Sequence, residues 1–221
     1  GVGKELVAQA IHNESAPAGE FIATNCGGFS KELIGSELFG HEKGAFTGAS
    51  AQRPGVFERA NDGTLFLDEV TEMPMDMQPT LLRVLETKRV SRVGRTQEFP
   101  THCRVISATN RSLDEIAHEQ VLREDIYFRL AVFPISIPSL KERKADIPLL
   151  SEAFLQDLNQ EHDEQFVFTD AQKARLAEHD WPGNVRELRH AIHRGFIMSE
   201  PGGKSFDLPT SFDSPFSSTS K

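Results

Sequence analysis

Short apolar runs along the chain alternate with segments in which apolar residues recur at the three- and four-residue spacing of a helix. Three largely apolar runs have polar residues at or just after their ends, which indicates buried strands. They are Phe21–Cys26, Thr64–Leu67 and Arg104–Asn110. Val132–Pro138 is predicted to be a further buried strand. Helical spacing lies between the strands, as in Met77–Thr87. Strands that alternate with helices indicate an α/β fold with a parallel sheet.

The pattern becomes purely helical from about residue 140 onward. Thr169 and Asp170 offer N-cap chemistry to one of these helices, and Asp180–Asn184 interrupts the pattern before the last helix. We therefore predict an α/β unit over residues 1–139 and a small all-helical unit over 140–200. Residues 201–221 are rich in Ser, Pro, Gly and Asp, and we predict a disordered tail or linker there.

Composition and charge exclude some classes of protein. The 221 residues carry a net charge of −9, and no stretch is long and apolar enough for a membrane helix. With no signal peptide at the start, we expect a cytoplasmic protein. An acidic chain does not bind nucleic acid by bulk charge, so DNA contact is expected only through a domain absent from this chain. Cys26 and Cys103 are predicted to be buried thiols rather than a disulfide.

The first four residues resemble the end of a phosphate-binding loop. Gly3 and Lys4 lead directly into a helical pattern, where backbone N–H groups, the helix dipole and the lysine can all face an anion. The first glycine of the full pattern would lie before Gly1, and Glu5 stands where Ser or Thr is usual. This half-motif alone leaves a glycine-rich turn with a solvated lysine as the alternative.

Polar residues at two strand ends strengthen the nucleotide hypothesis. Asp68 and Glu69 follow the apolar run Thr64–Leu67, at the sheet edge where open α/β folds bind ligands. Asp68 would hold Mg²⁺ through its water shell, and Glu69 would orient or deprotonate an attacking water. Asn110, at the end of the next strand, could hold that water or sense the terminal phosphate. An acidic helix cap and an Asn in a turn are the structural alternatives.

Six motifs together resemble the AAA+ central domain of bacterial sigma-54-dependent transcription activators. The resemblance covers roughly residues 1–200, in the order of that family. It implies an AAA+ P-loop NTPase with a parallel sheet followed by a helical lid, and a Mg²⁺-dependent ATPase that remodels a closed promoter complex. The motifs are "ELFGHEKGAFTGA" (37–49), "GTLFLDE" (63–69), "LLRVLE" (81–86), "REDIYFRL" (123–130), "PSLKERKADIP" (138–148) and "WPGNVREL" (181–188).

The resemblance assigns the GAFTGA stretch to contact with the sigma-54 subunit of RNA polymerase. Phe46 would bury its ring in the partner, where aromatic anchors contribute strongly, and Thr47 would hydrogen-bond it. The alternative is that Phe46 packs back on its own domain. The residues of this predicted partner-binding loop are Gly44, Ala45, Phe46, Thr47, Gly48 and Ala49.

The resemblance also implies roles for residues around the nucleotide. Asn25 would be the switch that holds Glu69 away from water. Arg123 and Arg129 would be arginine fingers supplied in trans within a homo-oligomeric ring of six, although six residues span about 240° on one straight helix. Their alternative is pairing with Glu124 and Asp125. Nucleotide binding is assigned to Gly1, Val2, Gly3, Lys4, Glu5 and Arg186.

Two other functions compete with sigma-54 activation. Another AAA+ remodeller, such as a helicase loader or an unfoldase, would share Lys4 and the acidic strand but would lack GAFTGA. A non-enzymatic module that binds sigma-54 fits the shortened phosphate loop, but the intact Lys4, Asp68 and Glu69 argue against it. We expect the natural protein to have the first strand and the first half of the loop.

Overall fold

The computed structural model describes residues 1–15, 17–203 and 205–212. The chain forms two compact units, which are described separately. One is Lys4–Ile135, and the other contains Gly1–Gly3 and the described part of Ser136–Lys221. The boundary after Ile135 lies close to the predicted one after residue 139.

The described residues of the first unit form seven short strands. Three of them form a parallel sheet in the order β1-β4-β7, and the others form two antiparallel pairs, β2 with β3 and β5 with β6. The parallel sheet confirms the predicted α/β class. The strands are β1 (Phe21–Asn25), β2 (Gly40–His41), β3 (Arg53–Pro54), β4 (Thr64–Asp68), β5 (Arg89–Ser91), β6 (Glu98–Pro100) and β7 (Arg104–Ser107).

Helices pack around the parallel sheet in the first unit, and the second unit is mainly helical. The first unit holds α1 (Lys4–Ser15), α2 (Lys31–Phe39), α3 (Val56–Arg59), α4 (Gln78–Thr87), α5 (Leu113–Glu119) and α6 (Glu124–Leu130). The second unit holds α7 (Asp146–His162), α8 (Asp170–Glu178) and α9 (Asn184–Met198). The predicted helix over Met77–Thr87 is confirmed as α4, with Pro79 in its first turn, where a missing N–H costs least.

Strand register brings the predicted site residues to one edge of the sheet. Asn25 pairs with Asp68 across β1 and β4, and Leu67 pairs with Ser107 across β4 and β7. The residues of β4 before Asp68 are all buried, as its apolar sequence predicts. This central strand anchors Asp68 and Glu69 on a rigid framework at the carboxyl edge.

The predicted strand over Val132–Pro138 is wrong. The segment forms no regular element, and the side chains of Val132 and Phe133 are 78% and 83% exposed. Within the described residues no strand pairs with it, and Pro134 and Pro138 remove two backbone donors from any ladder. Apolar content alone therefore does not make this segment a strand.

The helical unit has its own core, and its caps follow the sequence. Thr169 caps α8, accepting from the backbone N–H of Gln172, as predicted. Trp181 is almost fully buried and donates from Nε1 to the carbonyl of Leu176 at 2.8 Å, so it packs this unit.

The prediction of a tail after residue 200 is wrong for residues 205–212. Phe206, Leu208 and Phe212 belong to the core of the helical unit. Phe206 packs against Phe168, with ring centroids 4.9 Å apart. Three spaced apolar residues suffice to fasten a Ser- and Pro-rich segment, which average composition does not reveal. Residue 204 and residues 213–221 of the predicted tail lie outside the described residues.

Among the described helices, none has the length and apolar character needed to cross a membrane.

Candidate nucleotide site and partner-binding loop

Lys4, Asp68 and Glu69 form a charged cluster at the carboxyl edge of the sheet. Lys4 begins α1, and its Nζ lies 2.9 Å from Oε1 of Glu69 and 3.5 Å from Oδ1 of Asp68. The three side chains are 18–29% exposed, so they are accessible to a ligand without being fully solvated. Two carboxylates against one ammonium leave a net negative charge, which suits a cation bound together with phosphates.

Glu69 has an unusual backbone conformation. Its φ of 50° and ψ of 48° lie in the left-handed region, which costs a residue other than glycine roughly 1–3 kcal/mol and is frequent at functional sites. The Oε2 atom of Glu69 accepts a hydrogen bond from the backbone N–H of Asn110 at 3.2 Å. The carboxylate is thereby held between Lys4 and the loop after β7.

Asn110 reaches the acid cluster through its backbone, whereas Asn25 does not hydrogen-bond Glu69. The Oδ1 atom of Asn25 accepts instead from the N–H of Gly27 at 2.9 Å and caps the turn after β1. Asn25 is nevertheless next to Asp68 in the strand register. Its role as a switch for Glu69 stays a prediction.

Cys26 lies beside the acid pair as a buried thiol. Burial, with the negative charges of Asp68 and Glu69, raises the pKa of the Cys26 thiol to about 12. Burial likewise raises the pKa of Cys103. Both cysteines are free, as predicted, and both stay protonated at neutral pH.

The three residues before Lys4 belong to the helical unit. Gly3 has φ 101°, a left-handed conformation with free space where a side chain would begin. Arg143 donates from Nη2 to the carbonyl of Val2 at 2.7 Å. A Cβ at Gly1 would lie 3.8 Å from Nη2 of Arg186, so that predicted sensor lies beside the loop. Glu5 is exposed in the first turn of α1.

The donor set fits a magnesium–phosphate ligand better than a metal bound by protein alone. Within the described residues, no cluster of three or more His, Cys, Asp or Glu side chains could ligate a metal. Magnesium in nucleotide sites keeps several waters and takes one or two carboxylates plus substrate phosphates, so Asp68 can hold it through water while Glu69 stays available to a water molecule.

The two predicted arginine fingers occupy different positions. Arg123 precedes α6 as its N-cap residue and pairs with Asp125, with Nη2 and Oδ2 2.7 Å apart. Arg129 lies in the last turn and donates from Nη2 to the carbonyl of Leu85 at 2.9 Å. The pairing with Asp125, one of the alternatives considered for these arginines, is present for Arg123. A role of either arginine in trans stays a prediction.

The GAFTGA loop follows β2 and is closed at its tip by its own backbone. The N–H of Gly44 donates to the carbonyl of Ala49 at 2.8 Å, and the N–H of Ala49 donates to that of Phe46 at 3.0 Å. Gly44 and Gly48 have φ of 82° and 103°, which only glycine adopts at low cost. Thr47 at the tip is exposed, whereas Phe46 is half-buried.

An ion-pair network fastens the base of this loop to the β5–β6 hairpin. Arg92 bonds both oxygens of Glu58 and, from Nη1, Oε1 of Glu42 at 3.0 Å. Arg95 also reaches Glu42, at 3.1 Å. Arg92 is only 12% exposed, so its pairs are better shielded than ordinary surface pairs.

Sequence reasoning missed the Arg92 network and the buried histidine His41 beneath the loop. Arg92 lies in a polar segment without a motif, 34 residues from Glu58 and 50 from Glu42. The one signal available was Glu42 itself, an acid two residues before the glycine-rich loop. By contrast, the predicted set Lys4, Asp68 and Glu69 is brought together as expected.

Two family matches cover nearly the whole chain. Residues 1–136 match the Sigma-54 interaction domain family, and residues 141–218 match the AAA+ ATPase lid domain family. The second match includes residues 205–212, consistent with their packing in the helical unit.

Curated relatives and solved structures agree with these matches. The chain is 45% identical to Regulatory protein AtoC of Escherichia coli (strain K12) over 97% of this chain and 47% of that protein. It is 48% identical to the Nif-specific regulatory protein of Azotobacter vinelandii over 94% of this chain and 40% of that protein. A crystal structure of NtrX from Brucella abortus in complex with ATP matches with a TM-score of 0.81 and 35% identity, covering 96% of this chain and 49% of that one. The chain thus spans about half the length, or less, of these relatives.

Proposed function

The chain belongs to the family of sigma-54 interaction domains, and from this membership we propose that it couples ATP hydrolysis to remodelling of sigma-54 RNA polymerase at a closed promoter. The observation that carries the proposal is that one compact unit holds both a lysine–diacid cluster and a GAFTGA loop. The cluster offers groups that phosphoryl transfer uses, and the loop offers an exposed Thr47 to a partner.

ATP is the proposed substrate. Gly1–Gly3 would present backbone N–H groups to the phosphates, and the N-terminus of α1 would add its partial positive charge. Lys4 would leave its two carboxylate partners for the phosphates, as phosphate oxygens carry more negative charge. Arg186, which lies beside Gly1, would sense the nucleotide. The relative NtrX, solved with ATP, supports this choice of nucleotide.

Hydrolysis would use the acids according to their positions. Magnesium, when bound, would neutralise charge on the phosphates, and Asp68 would hold it through water. Glu69 would orient a water and accept its proton as the water oxygen bonds the terminal phosphorus and the bond to the ADP oxygen breaks. Asn110 would help place the same water, because its backbone already positions the carboxylate of Glu69. Asn25 would hold Glu69 back in the inactive state.

The arginines are proposed to act across subunits of a homo-oligomeric ring of six. Arg129 is the preferred finger, because Arg123 forms a close pair with Asp125 on its own subunit. A finger supplied in trans makes hydrolysis depend on assembly and contributes roughly 10³ to 10⁵ in rate. Arg123 would then hold the interface or sense the nucleotide.

The partner-binding loop, residues 44–49, is proposed to engage sigma-54 with Thr47 and Phe46. The nucleotide state would reach the loop through the backbone and ion pairs at its base, including Glu42 and Arg92. DNA would be contacted by a part of the protein other than this chain.

The test is formation of a complex between purified sigma-54 and the full-length protein that contains this chain. Magnesium, ADP and a metal fluoride that mimics the terminal phosphate would be added, and complexes would be separated by size. We expect a complex that requires the mimic and is lost in Thr47→Ala. Ser50→Ala, an exposed neighbour just beyond GAFTGA, is the matched control and should retain the complex.

The competing functions predict different results. If the protein hydrolyses ATP but forms no complex with or without the mimic, it is an AAA+ remodeller of another partner. If the complex forms equally without nucleotide and the protein has no ATP turnover, it is a binding module. Either result would refute the proposal.

A further inference from the structure

His41 lies beneath the GAFTGA loop, and its backbone is paired with a neighbouring segment on each side. It ends β2, opposite Arg53 of β3, and forms an isolated bridge with Val93 on its other side. The residue is 8% exposed. Because its backbone is fixed, the side chain of His41 has a defined direction. The backbone of the loop that follows is not fixed in this way.

A buried hydrogen bond fixes the imidazole ring of His41. Its Nδ1 lies 2.6 Å from Oγ of Ser36, which is on α2 and is itself buried. Because Ser36 belongs to a helix and His41 to a strand pair, this bond connects two framework elements. The ring is therefore preset before any contact with the loop is made.

The ring of Phe46 contacts this preset imidazole. The two ring centroids are 5.0 Å apart, with an interplanar angle of 66°, the edge-to-face arrangement that aromatic pairs prefer. Phe46 is half-buried, whereas its neighbour Thr47 is exposed. Two glycines with positive φ flank this tip, so the aromatic contact is a main restraint on Phe46 besides the turn's own hydrogen bonds.

We propose that His41 is a positioning residue that docks Phe46 on the domain, so that the loop presents its aromatic side chain to a partner only after this contact breaks. The inference rests on the proposed function, in which Phe46 engages sigma-54. An edge-to-face pair shifts an equilibrium by about 2- to 12-fold. A contact of this strength favours the docked position of the Phe46 ring, yet a small change in free energy at the base of the loop is enough to break it.

The direct test follows the mobility of the loop in the full-length protein without nucleotide. A nitroxide on Ser50→Cys reports it by electron paramagnetic resonance, because Cys26 and Cys103 of this chain are buried and any accessible cysteine elsewhere would be replaced by serine. His41→Asn removes the ring but keeps a polar group, His41→Phe keeps a ring, and Phe46→Leu removes the half-buried partner ring and leaves His41 and Ser36 unchanged. Thermal unfolding checks that each variant is folded.

We expect His41→Asn and Phe46→Leu to raise the mobile fraction of the label about 2- to 12-fold, and His41→Phe to keep it near the wild-type value. Equal mobility in the wild type and Phe46→Leu would overturn docking, even if His41→Asn failed to fold. This readout contains no sigma-54, so it does not depend on the proposed function.

Binding to sigma-54 without the phosphate mimic is the second readout. His41→Asn should bind about 2- to 12-fold tighter than the wild type, with His41→Phe close to the wild type. An unchanged affinity in His41→Asn, where the wild type binds with the mimic, would overturn the role of docking in presentation. If the wild type does not bind even with the mimic, the proposed function fails, and the inference that rests on it fails with it.

Discussion

The acid edge of the sheet and the GAFTGA loop differ in how they are held. Asp68 ends a strand that is paired on both sides, and Glu69 is fixed by Lys4 and by the backbone of Asn110. The loop instead is held by an ion-pair network at its base, by its own turn and by one aromatic contact at Phe46. The groups proposed for chemistry thus lie on a rigid framework, and the group proposed for the partner lies on a movable one.

Because the two regions are held differently, substitutions at the acid edge and in the loop should differ in the size of their effects. Chemical steps need groups held to within a fraction of an ångström, so changes at the acid edge should alter rates by orders of magnitude. A loop that switches needs states separated by little free energy, so changes there should alter populations by smaller factors.

The largest effect is expected for Arg129→Ala, which removes the proposed finger. Turnover should fall roughly 10³- to 10⁵-fold, measured as phosphate release. Mixing Arg129→Ala with Lys4→Ala protein should restore part of the activity, because each subunit supplies the group that the other lacks. If Arg129 only holds the carbonyl of Leu85, the variant would lose stability and mixing would restore nothing.

Glu69→Gln should reduce turnover roughly 10²- to 10⁴-fold and leave ATP binding nearly unchanged. The amide is isosteric with the carboxylate and can still contact the backbone loop, but it cannot accept a proton. Fluorescent nucleotide binding and phosphate release measure the two quantities. Glu72→Gln, a nearby exposed acid that pairs with Arg111, is the matched control and should keep both. Equal loss of binding and turnover in Glu69→Gln would contradict its assigned role.

Arg92→Lys tests the loop base with a smaller expected effect. Lysine keeps the charge but lacks the guanidinium fork that bonds both oxygens of Glu58 and one of Glu42 at once, so at least one charge-assisted hydrogen bond is lost. The mimic-dependent complex with sigma-54 should weaken about tenfold. Arg95→Lys, which affects a more exposed pair with Glu42, should change it less than about twofold. Similar effects of the two substitutions would mean that the network has no special role.

The smallest effect is expected from pH. Hydrogen bonding by Arg95, and then by Arg92, lowers the pKa of Glu42 below its ordinary value of 4.5. A lowered pKa in the folded state means that the stabilising charge is fully present above about pH 4.5 and is lost as pH falls through the lower folded value. The label at position 50 should therefore keep its mobility from neutral pH to about pH 4.5 and loosen modestly below that. In Glu42→Gln the label should already be loosened at neutral pH, and acid should add nothing further through this position.

Sequence predicted the acid edge well because local pattern and topology act together there. An apolar run followed by Asp68 and Glu69 favours a buried strand with acids at its end, and a parallel sheet brings such ends to one edge. The same reasoning failed for Val132–Pro138, where the apolar pattern exists but no described strand lies alongside. A strand forms only where a neighbouring strand pairs with it, and one apolar run in the sequence does not show whether such a neighbour exists.

Long-range contacts explain what the sequence could not predict. Arg92 contacts Glu42 and Glu58 only in the folded chain. The three residues are far apart in sequence, and no local pattern indicates that they pair. His41 and Phe46 are close in sequence, but the bond that orients the ring of His41 comes from Ser36 on α2, which the sequence does not reveal. Phe206 and Phe212 were hidden by the polar composition around them, although each supplies a large apolar side chain to the core.

The most direct test of the account is promoter opening by sigma-54 RNA polymerase in the presence of the full-length protein. Permanganate reactivity of unpaired thymines measures opening with ATP and with a non-hydrolysable analogue. We predict opening with ATP alone, and its loss in both Glu69→Gln and Thr47→Ala, because one removes the chemistry and the other the contact. Opening that persists with the analogue, or in either variant, would contradict the claim that hydrolysis at the acid edge works through the loop.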